Sequence, residues 1–162
     1  MARRELGRDE VLAMLAEHPR RIAAATGGVP AARLKTRRIL GEWTAVDVLA
    51  HLRCCADARG EFIPRILAER HPTLRAIDPR TLFRDTRYRD LAFAESLGAF
   101  TRQRSRLLKL LRSLSSKDWE RAAIVTGGGL SRERSVLFYA AWLARHEPAH
   151  VRHIERSVSR AR

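Results

Sequence analysis

Two histidines near the C-terminal end of the sequence have the spacing of metal ligands on a helix. His146 and His150 are four residues apart, so on a helix they lie on one face, roughly 6 Å or one turn apart. Both occupy positions of an apolar stripe where leucine or isoleucine would be expected. A buried, unpaired imidazole pair costs free energy, and a bound metal offsets that cost.

A third histidine, His51, takes a similar apolar-stripe position on another predicted helix. The sequence therefore predicts a metal site formed by His51, His146 and His150. Three protein ligands leave a fourth position open, which is typical of catalytic rather than closed structural sites. Imidazole suits zinc, nickel, copper and iron alike, so the ligand type does not identify the metal.

Three further residues lie close to these histidines on the predicted helices, and each has two interpretations. Asp47, one turn before His51, either orients that ring or caps the helix together with Thr44. Cys55, one turn after His51, is either a ligand or a small buried packing residue. His153 either competes as a ligand or donates a hydrogen bond to the site. No catalytic residue can be named from the pattern.

Helical periodicity dominates the sequence, and no segment shows convincing strand alternation. A long connection with two prolines is predicted over residues 71–86, and a loop with a glycine run over residues 115–132. The prediction is an all-α protein, a four-helix bundle in a single domain over residues 1–162. The four helices are predicted at about residues 8–25, 44 to 67 or 69, 88–114 and 132–158.

The formal net charge of +14 raises the question of nucleic-acid binding. Three of the 32 basic residues are lysines and the other 29 are arginines, spread along the whole sequence rather than collected in one stripe. No helix-turn-helix pattern or basic stretch with interleaved aromatics accompanies them. Nucleic acid is therefore a less favoured partner than a small molecule.

Compartment and membrane association are predicted from apolar runs and cysteine usage. No window approaches the ~18 apolar residues of a membrane span, and the N-terminal segment has no apolar signal-peptide core. The adjacent Cys54 and Cys55 cannot easily bond to each other and are expected as reduced thiols. These features predict a cytoplasmic protein.

Three segments together resemble the DinB-like family. The segment GEWTAVDVLAHLRCC resembles the start of its second helix, LSSKDWERAAIVTGGGLS its Asp-Trp and glycine connection, and LARHEPAHVRHIER its His-acidic-x-x-His ending. The likeness extends over about residues 11–156. The matching residues are Trp43, Thr44, Asp47, His51, Leu52, Asp118, Trp119, His146, Glu147, His150 and Ile154.

The resemblance implies more than the residue pattern alone. It implies an up-down-down-up bundle whose crossover is the connection over residues 71–86, and a histidine triad that binds a divalent metal, often zinc or nickel. Some relatives are transferases or isomerases that use a low-molecular-weight thiol such as bacillithiol or mycothiol, and homodimers are frequent. One departure is Pro148, between the two last histidines, which should kink the helix there.

These observations lead to three functional hypotheses. The first is a metal-dependent enzyme, a thiol S-transferase or a related transferase or isomerase, in which arginines hold carboxylates of the thiol cosubstrate. The second is a basic stress protein associated with nucleic acid. The third is a bundle without catalysis that keeps only a structural metal or an interaction role, which Pro148 favours.

Overall fold

The computed structural model describes residues 4–159. In this part of the chain, eight α-helices, one short 3-10 helix (Tyr88–Asp90) and three strands are formed. The strands are β1 (Thr73–Arg75), β2 (Ala122–Gly127) and β3 (Leu130–Ser135). The helices are α1 (Arg8–Thr26), α2 (Ala31–Leu34), α3 (Ala45–Gly60), α4 (Phe62–Ala68), α5 (Pro79–Asp85), α6 (Phe93–Arg112), α7 (Ser116–Glu120) and α8 (Val136–Val158).

The four long helices, α1, α3, α6 and α8, form the bundle that the periodicity predicts. Helices α1 and α3 each pack against both α6 and α8. The buried apolar residues form two clusters. One joins α1, α4, α6 and α8 with the sheet, and the other joins the N-terminal part of α3 with the C-terminal part of α8. Among the described residues, no helix is both long and apolar enough to cross a bilayer.

Local sequence signals fix where several helices begin and end. Helix α3 begins at the predicted capping box, in which the Thr44 hydroxyl accepts from the Asp47 backbone N–H and the Asp47 carboxylate accepts from the Thr44 N–H. The predicted second helix is divided at Glu61 into α3 and α4. Pro64 has no N–H for the carbonyl of Gly60, so the hydrogen-bond ladder cannot continue there.

The prediction of a purely helical protein is wrong, because the chain also forms a three-stranded sheet. Strand β2 pairs in parallel with β1 and antiparallel with β3. Gly128 and Gly129 form the two-residue turn of the β2–β3 hairpin, with φ of +57° and +76°. Two residues at positive φ are what the favoured hairpin turn requires, and glycine adopts that conformation without steric cost. The predicted loop over residues 115–132 is therefore α7 followed by most of this hairpin.

The remaining differences lie in the connection that was predicted as irregular. Residues 71–86 contain β1 and α5, and the third long helix begins at Phe93 rather than near residue 88. Strand β1 has three residues, and its partner β2 lies about fifty residues later in the chain. No local sequence pattern predicts this strand pairing, since its register depends on the tertiary fold. The up-down-down-up order of the four long helices stays a prediction.

Candidate metal centre

The three predicted histidine ligands come together where α3 packs against α8. The Nε2 atoms of His51 and His146 are 3.1 Å apart. The ring of His150 lies beside both, with centroid distances of 4.7 Å to His51 and 4.6 Å to His146. Helix α8 is continuous from Val136 to Val158, so Pro148 does not separate the two rings that it lies between.

The thiol of Cys55 completes a compact set of donor atoms with two of the histidines. Its Sγ lies 3.5 Å from His51 Nε2 and 3.4 Å from His146 Nε2. In a tetrahedral zinc site, usual bond lengths place two nitrogen ligands ~3.3 Å apart and a nitrogen and a sulfur ligand ~3.6 Å apart. The donor set therefore fits a small divalent cation in both chemistry and spacing. Within the described part of the chain, the donor atoms of His51, Cys55 and His146 all lie within 4.8 Å of one another, and the predicted ligand His150 is not part of this group.

Burial determines the protonation of these donors. It lowers the pKa of His51, His146 and His150 to about 4, and the charge of a neighbouring histidine acts in the same direction on each. The three imidazoles are therefore neutral at pH 7, and their lone pairs are free for a cation. Burial also raises the pKa of Cys55 to about 12, so a cation would have to displace the thiol proton.

The other two predicted neighbours of the site interact elsewhere. The carboxylate of Asp47 accepts hydrogen bonds from Thr44 at one oxygen and from Arg89 Nε at the other, 2.9 Å away. The Nε2 of His153 lies 3.0 Å from the backbone carbonyl oxygen of Trp43, to which it donates. Asp47 thus links the start of α3 to Arg89, and His153 anchors the segment that precedes α3.

Aromatic rings enclose the histidines. Trp142 stacks on His146, with ring centroids 4.5 Å apart and planes inclined by 17°, and Trp43 lies 5.1 Å from His51. Phe83 of α5 stacks on Trp43 at 5.0 Å and meets the His51 ring edge-on. Phe83 carries no signal in the sequence, because α5 lies in the connection that has no periodic pattern.

Glu147, the residue after His146, faces the bundle interior and is completely buried. It accepts a hydrogen bond from His18 Nδ1 on α1, at 2.6 Å, and pairs with Arg104 of α6. The sequence held a signal for this network, since His18 and Arg104 both interrupt apolar stripes. By joining α8 to two other helices, Glu147 fixes the rotation of α8 that presents His146 and His150 to α3.

A surface cavity of about 410 Å³ gives small molecules access to two of the histidines. His146 and His150 form part of its wall, together with Trp142, Phe138, Ala149 and Arg145. Pockets that bind small molecules typically combine aromatic walls with a few polar groups, as this one does. A cation held by the histidines would therefore be within reach of a ligand in this cavity.

Comparisons with known proteins identify the fold and the family of the chain. The fold matches YfiT from Bacillus subtilis, described as a probable metal-dependent hydrolase with an unusual four-helix bundle topology, with a TM-score of 0.70 and 22% identity over 96% of this chain and 91% of that one. A protein from Streptococcus pneumoniae matches with a TM-score of 0.63 and 14% identity, over 98% and 96% of the two chains. No curated protein matches the sequence. The family model of the DinB superfamily matches residues 14–154, and the chain therefore belongs to the DinB superfamily.

Proposed function

We propose that this protein is a metal-dependent enzyme whose cation, zinc or nickel, is held by His51, His146 and His150. The observation that carries the proposal is the 3.1 Å separation of the His51 and His146 Nε2 atoms, which brings together two imidazoles from different helices that are neutral at pH 7. Both imidazoles are half-buried, so desolvation disfavours their charged forms and leaves two neutral nitrogen ligands side by side. The third ring, His150, lies within 5 Å of both by centroid.

The nucleophile that we propose is a low-molecular-weight thiol cosubstrate of the bacillithiol or mycothiol kind. A bound divalent cation supplies a Lewis acid that favours the deprotonated form of a thiol, which is the stronger nucleophile. The chain's own residues bind and orient the reactants: Trp142 and Phe138 form the aromatic wall of the cavity beside His146. The thiol would lose its proton to solvent, and the thiolate sulfur would form a bond to the electrophilic carbon and displace a leaving group that departs with the bonding electrons, which would make the protein an S-transferase.

Two other functions have specific support. Hydrolysis, with water in place of the thiol, is supported by the likeness to YfiT and its description as a probable metal-dependent hydrolase. A structural metal is supported by Cys55, since three histidines and one thiolate would complete a closed tetrahedral site.

Metal content after purification without an affinity tag tests the site. We expect about one equivalent of zinc or nickel in the wild-type protein, and its loss in His146→Ala and His150→Ala. His71→Asn is the matched control, because His71 is exposed, lies outside the cluster and has a φ of 50° that asparagine tolerates. If the His146 and His150 variants retain as much metal as the control, the imidazoles form only a hydrogen-bonded pair and the proposal is wrong.

The reaction is tested separately on the metal-loaded protein. Conjugation of a model electrophile with bacillithiol or mycothiol should require the cation and stop with chelator. Ester hydrolysis without any thiol would identify a hydrolase instead. If chelator abolishes neither conjugation nor hydrolysis, or if the metal-loaded protein shows neither activity, a structural metal site is favoured.

A further inference from the structure

Next to the candidate metal centre lies a second cavity, which is strongly basic. Its volume is about 260 Å³, and we call it the arginine cavity because Arg59, Arg132 and Arg134 line it. Its other polar lining includes the side chains of Thr126 and Tyr139, and no acidic residue belongs to its wall. Three positive charges around one concave surface, with no carboxylate among them, form an environment that favours an anion.

The three arginines have no ion-pair partner in the described part of the chain. Arg59, Arg132 and Arg134 take part in none of the ion pairs between described residues, whereas Arg21, Arg89 and other arginines each pair with a carboxylate. Arg59 is half-buried, and its Nε is fully shielded without a hydrogen-bond partner among the described residues. A partly desolvated guanidinium without a counter-charge is costly, and a bound anion offsets that cost.

The fold also prearranges these side chains. The Arg134 guanidinium lies 4.3 Å above the Phe138 ring, and the Arg59 guanidinium lies 5.2 Å from the Trp142 ring. Arg134 comes from β3 of the hairpin, while Arg59 comes from the last turn of α3, so two separate elements converge on the cavity. Stacking on aromatic faces restricts a guanidinium. Arg134 donates from Nη1 to the Glu133 carbonyl oxygen, and its Nε and Nη2 make no hydrogen bond within the described chain, so this edge can still form a bidentate contact with an oxyanion.

The arginine cavity adjoins the cavity at the histidines. Phe138 and Trp142 line both cavities, and the Trp142 ring stacks on His146 and lies 5.2 Å from the Arg59 guanidinium. His146 is one helical turn, roughly 6 Å, beyond Trp142 along α8. A small molecule could therefore place one end among the arginines and the other at the histidines, with its middle against the indole.

We propose that the arginine cavity binds an oxyanionic group, a carboxylate or a phosphate, of the small molecule that reacts at the histidine cluster. The anion site itself rests on the three arginines alone, whereas its role in substrate binding rests on the proposed function. The substrate or cosubstrate class is then an anionic molecule with an aromatic or apolar middle. Arginine forks match the planar carboxylate and the phosphate equally in geometry.

Binding of simple anions to the chelator-treated protein tests the site without any metal. The probes are inorganic phosphate and succinate, followed by titration calorimetry and by tryptophan fluorescence. We expect saturable binding of at least one of them, weakened about tenfold or more in the Arg132→Gln/Arg134→Gln variant, since each charge-assisted hydrogen bond contributes that much. A preference for succinate or for phosphate identifies which oxyanion the cavity takes.

Matched variants distinguish specific anion binding in the arginine cavity from a general effect of positive surface charge. Arg106→Gln removes one charge from an exposed position on α6 and should leave binding unchanged. Arg132→Lys/Arg134→Lys keeps the charge but loses the bidentate fork, and should bind more weakly than wild type. Arg59→Gln, checked for an unchanged unfolding temperature, should weaken binding as well. Equal losses in Arg106→Gln and Arg132→Gln/Arg134→Gln, or no binding of either probe at millimolar concentration, would overturn the proposal.

Two crossed measurements distinguish this proposal from the proposed function. His146→Ala should lose the metal but still bind the anion in chelator, and Arg132→Gln/Arg134→Gln should keep the metal while losing the anion. If metal is absent but the anion still binds, the arginine cavity stands and the proposed function fails. If metal binds but neither anion does, the proposed function stands and the arginine-cavity proposal fails.

Discussion

Glu147 pairs with Arg104 in the interior of the bundle, where the two residues are 0% and 1% exposed. Burial by itself raises the pKa of Glu147, but the Arg104 charge and the hydrogen bond from His18 outweigh it, so the pKa lies below its ordinary value. The carboxylate is thus ionised and shared by α1, α6 and α8. Because it directly follows His146, the core of the bundle and the candidate metal centre are mechanically connected.

The Glu147→Gln substitution should strongly destabilise the protein, by about 3–5 kcal/mol in the free energy of unfolding, because it leaves the Arg104 charge buried without a partner. Urea unfolding measured by circular dichroism gives this value. Glu17→Gln is the control, since it breaks the exposed pair with Arg21 and should change stability little. Replacing both members of the buried pair, in Arg104→Met/Glu147→Gln, should cost less than the two single substitutions together. A Glu147→Gln variant as stable as the Glu17→Gln control would contradict a structural role for the network.

How much of this architecture the sequence predicts depends on how local each feature is. The long helices follow from side chains three or four residues apart, and the His146–His150 pair is visible for the same reason. His51 could be grouped with them only because all three interrupt apolar stripes. The family membership inferred from short motifs is confirmed by the match over residues 14–154.

Features that depend on distant chain segments escape the sequence analysis. The sequence shows Cys55 one turn after His51, but its approach to His146 depends on how α3 packs on α8, and the pairing of β1 with β2 spans about fifty residues. The arginine cavity forms only where β3 and α3 converge. Because 29 arginines are spread along the sequence, the sequence does not indicate which three of them line this cavity. The β2–β3 hairpin is different: its Gly128-Gly129 turn, directly after the β-prone segment of β2, is a local signal, although the pattern was assigned to a loop.

Acid should destabilise the metal-free protein over a defined pH range. The folded pKa of His51, His146 and His150 is about 4, against 6.5 for an unperturbed histidine. Between these values the unfolded chain binds more protons than the folded one, so stability falls as the pH decreases from about 6.5 to about 4 and is unaffected by these groups above 6.5. Thermal unfolding in chelator at a series of pH values measures the slope. His150→Gln removes one titrating ring and should make the slope shallower; an identical slope would contradict the assignment.

Opposite effects are expected from alanine at two glycines. Gly129 has a φ of +76°, so Gly129→Ala should cost about 1–2 kcal/mol although nothing lies within 4 Å of the added Cβ. Gly129→Asn should cost less, because asparagine tolerates this conformation. Gly98 lies within α6, where a Cβ would meet only the mobile end of Arg102 at 3.2 Å. Gly98→Ala should therefore stabilise the helix by up to about 1 kcal/mol. Urea unfolding of the three variants measures the change in the free energy of unfolding. Changes of the same sign in the two alanine variants would contradict the turn assignment.

Cobalt substitution reports whether Cys55 contacts the cation. Its Sγ lies 3.5 Å and 3.4 Å from the Nε2 atoms of His51 and His146, the spacing of ligands around one ion. We expect the Co²⁺-loaded wild-type protein to show a sulfur-to-cobalt charge-transfer band in the near ultraviolet, which Cys55→Ser abolishes. Cys54→Ser is the matched control, because the Cys54 Sγ lies instead 3.7 Å from the Thr86 hydroxyl.

The same spectra show whether the coordination site is open. Burial raises the pKa of Cys55 to about 12, so cobalt must displace the thiol proton, and the band should grow as the pH is raised. If Cys55 is bound in the resting protein, a thiol cosubstrate must replace it or enter as a fifth ligand, and Cys55→Ser should then bind that thiol more readily. Identical spectra for the wild-type, Cys54→Ser and Cys55→Ser proteins would instead mean that Cys55 only packs behind three histidines. The fourth position would then already be free for substrate.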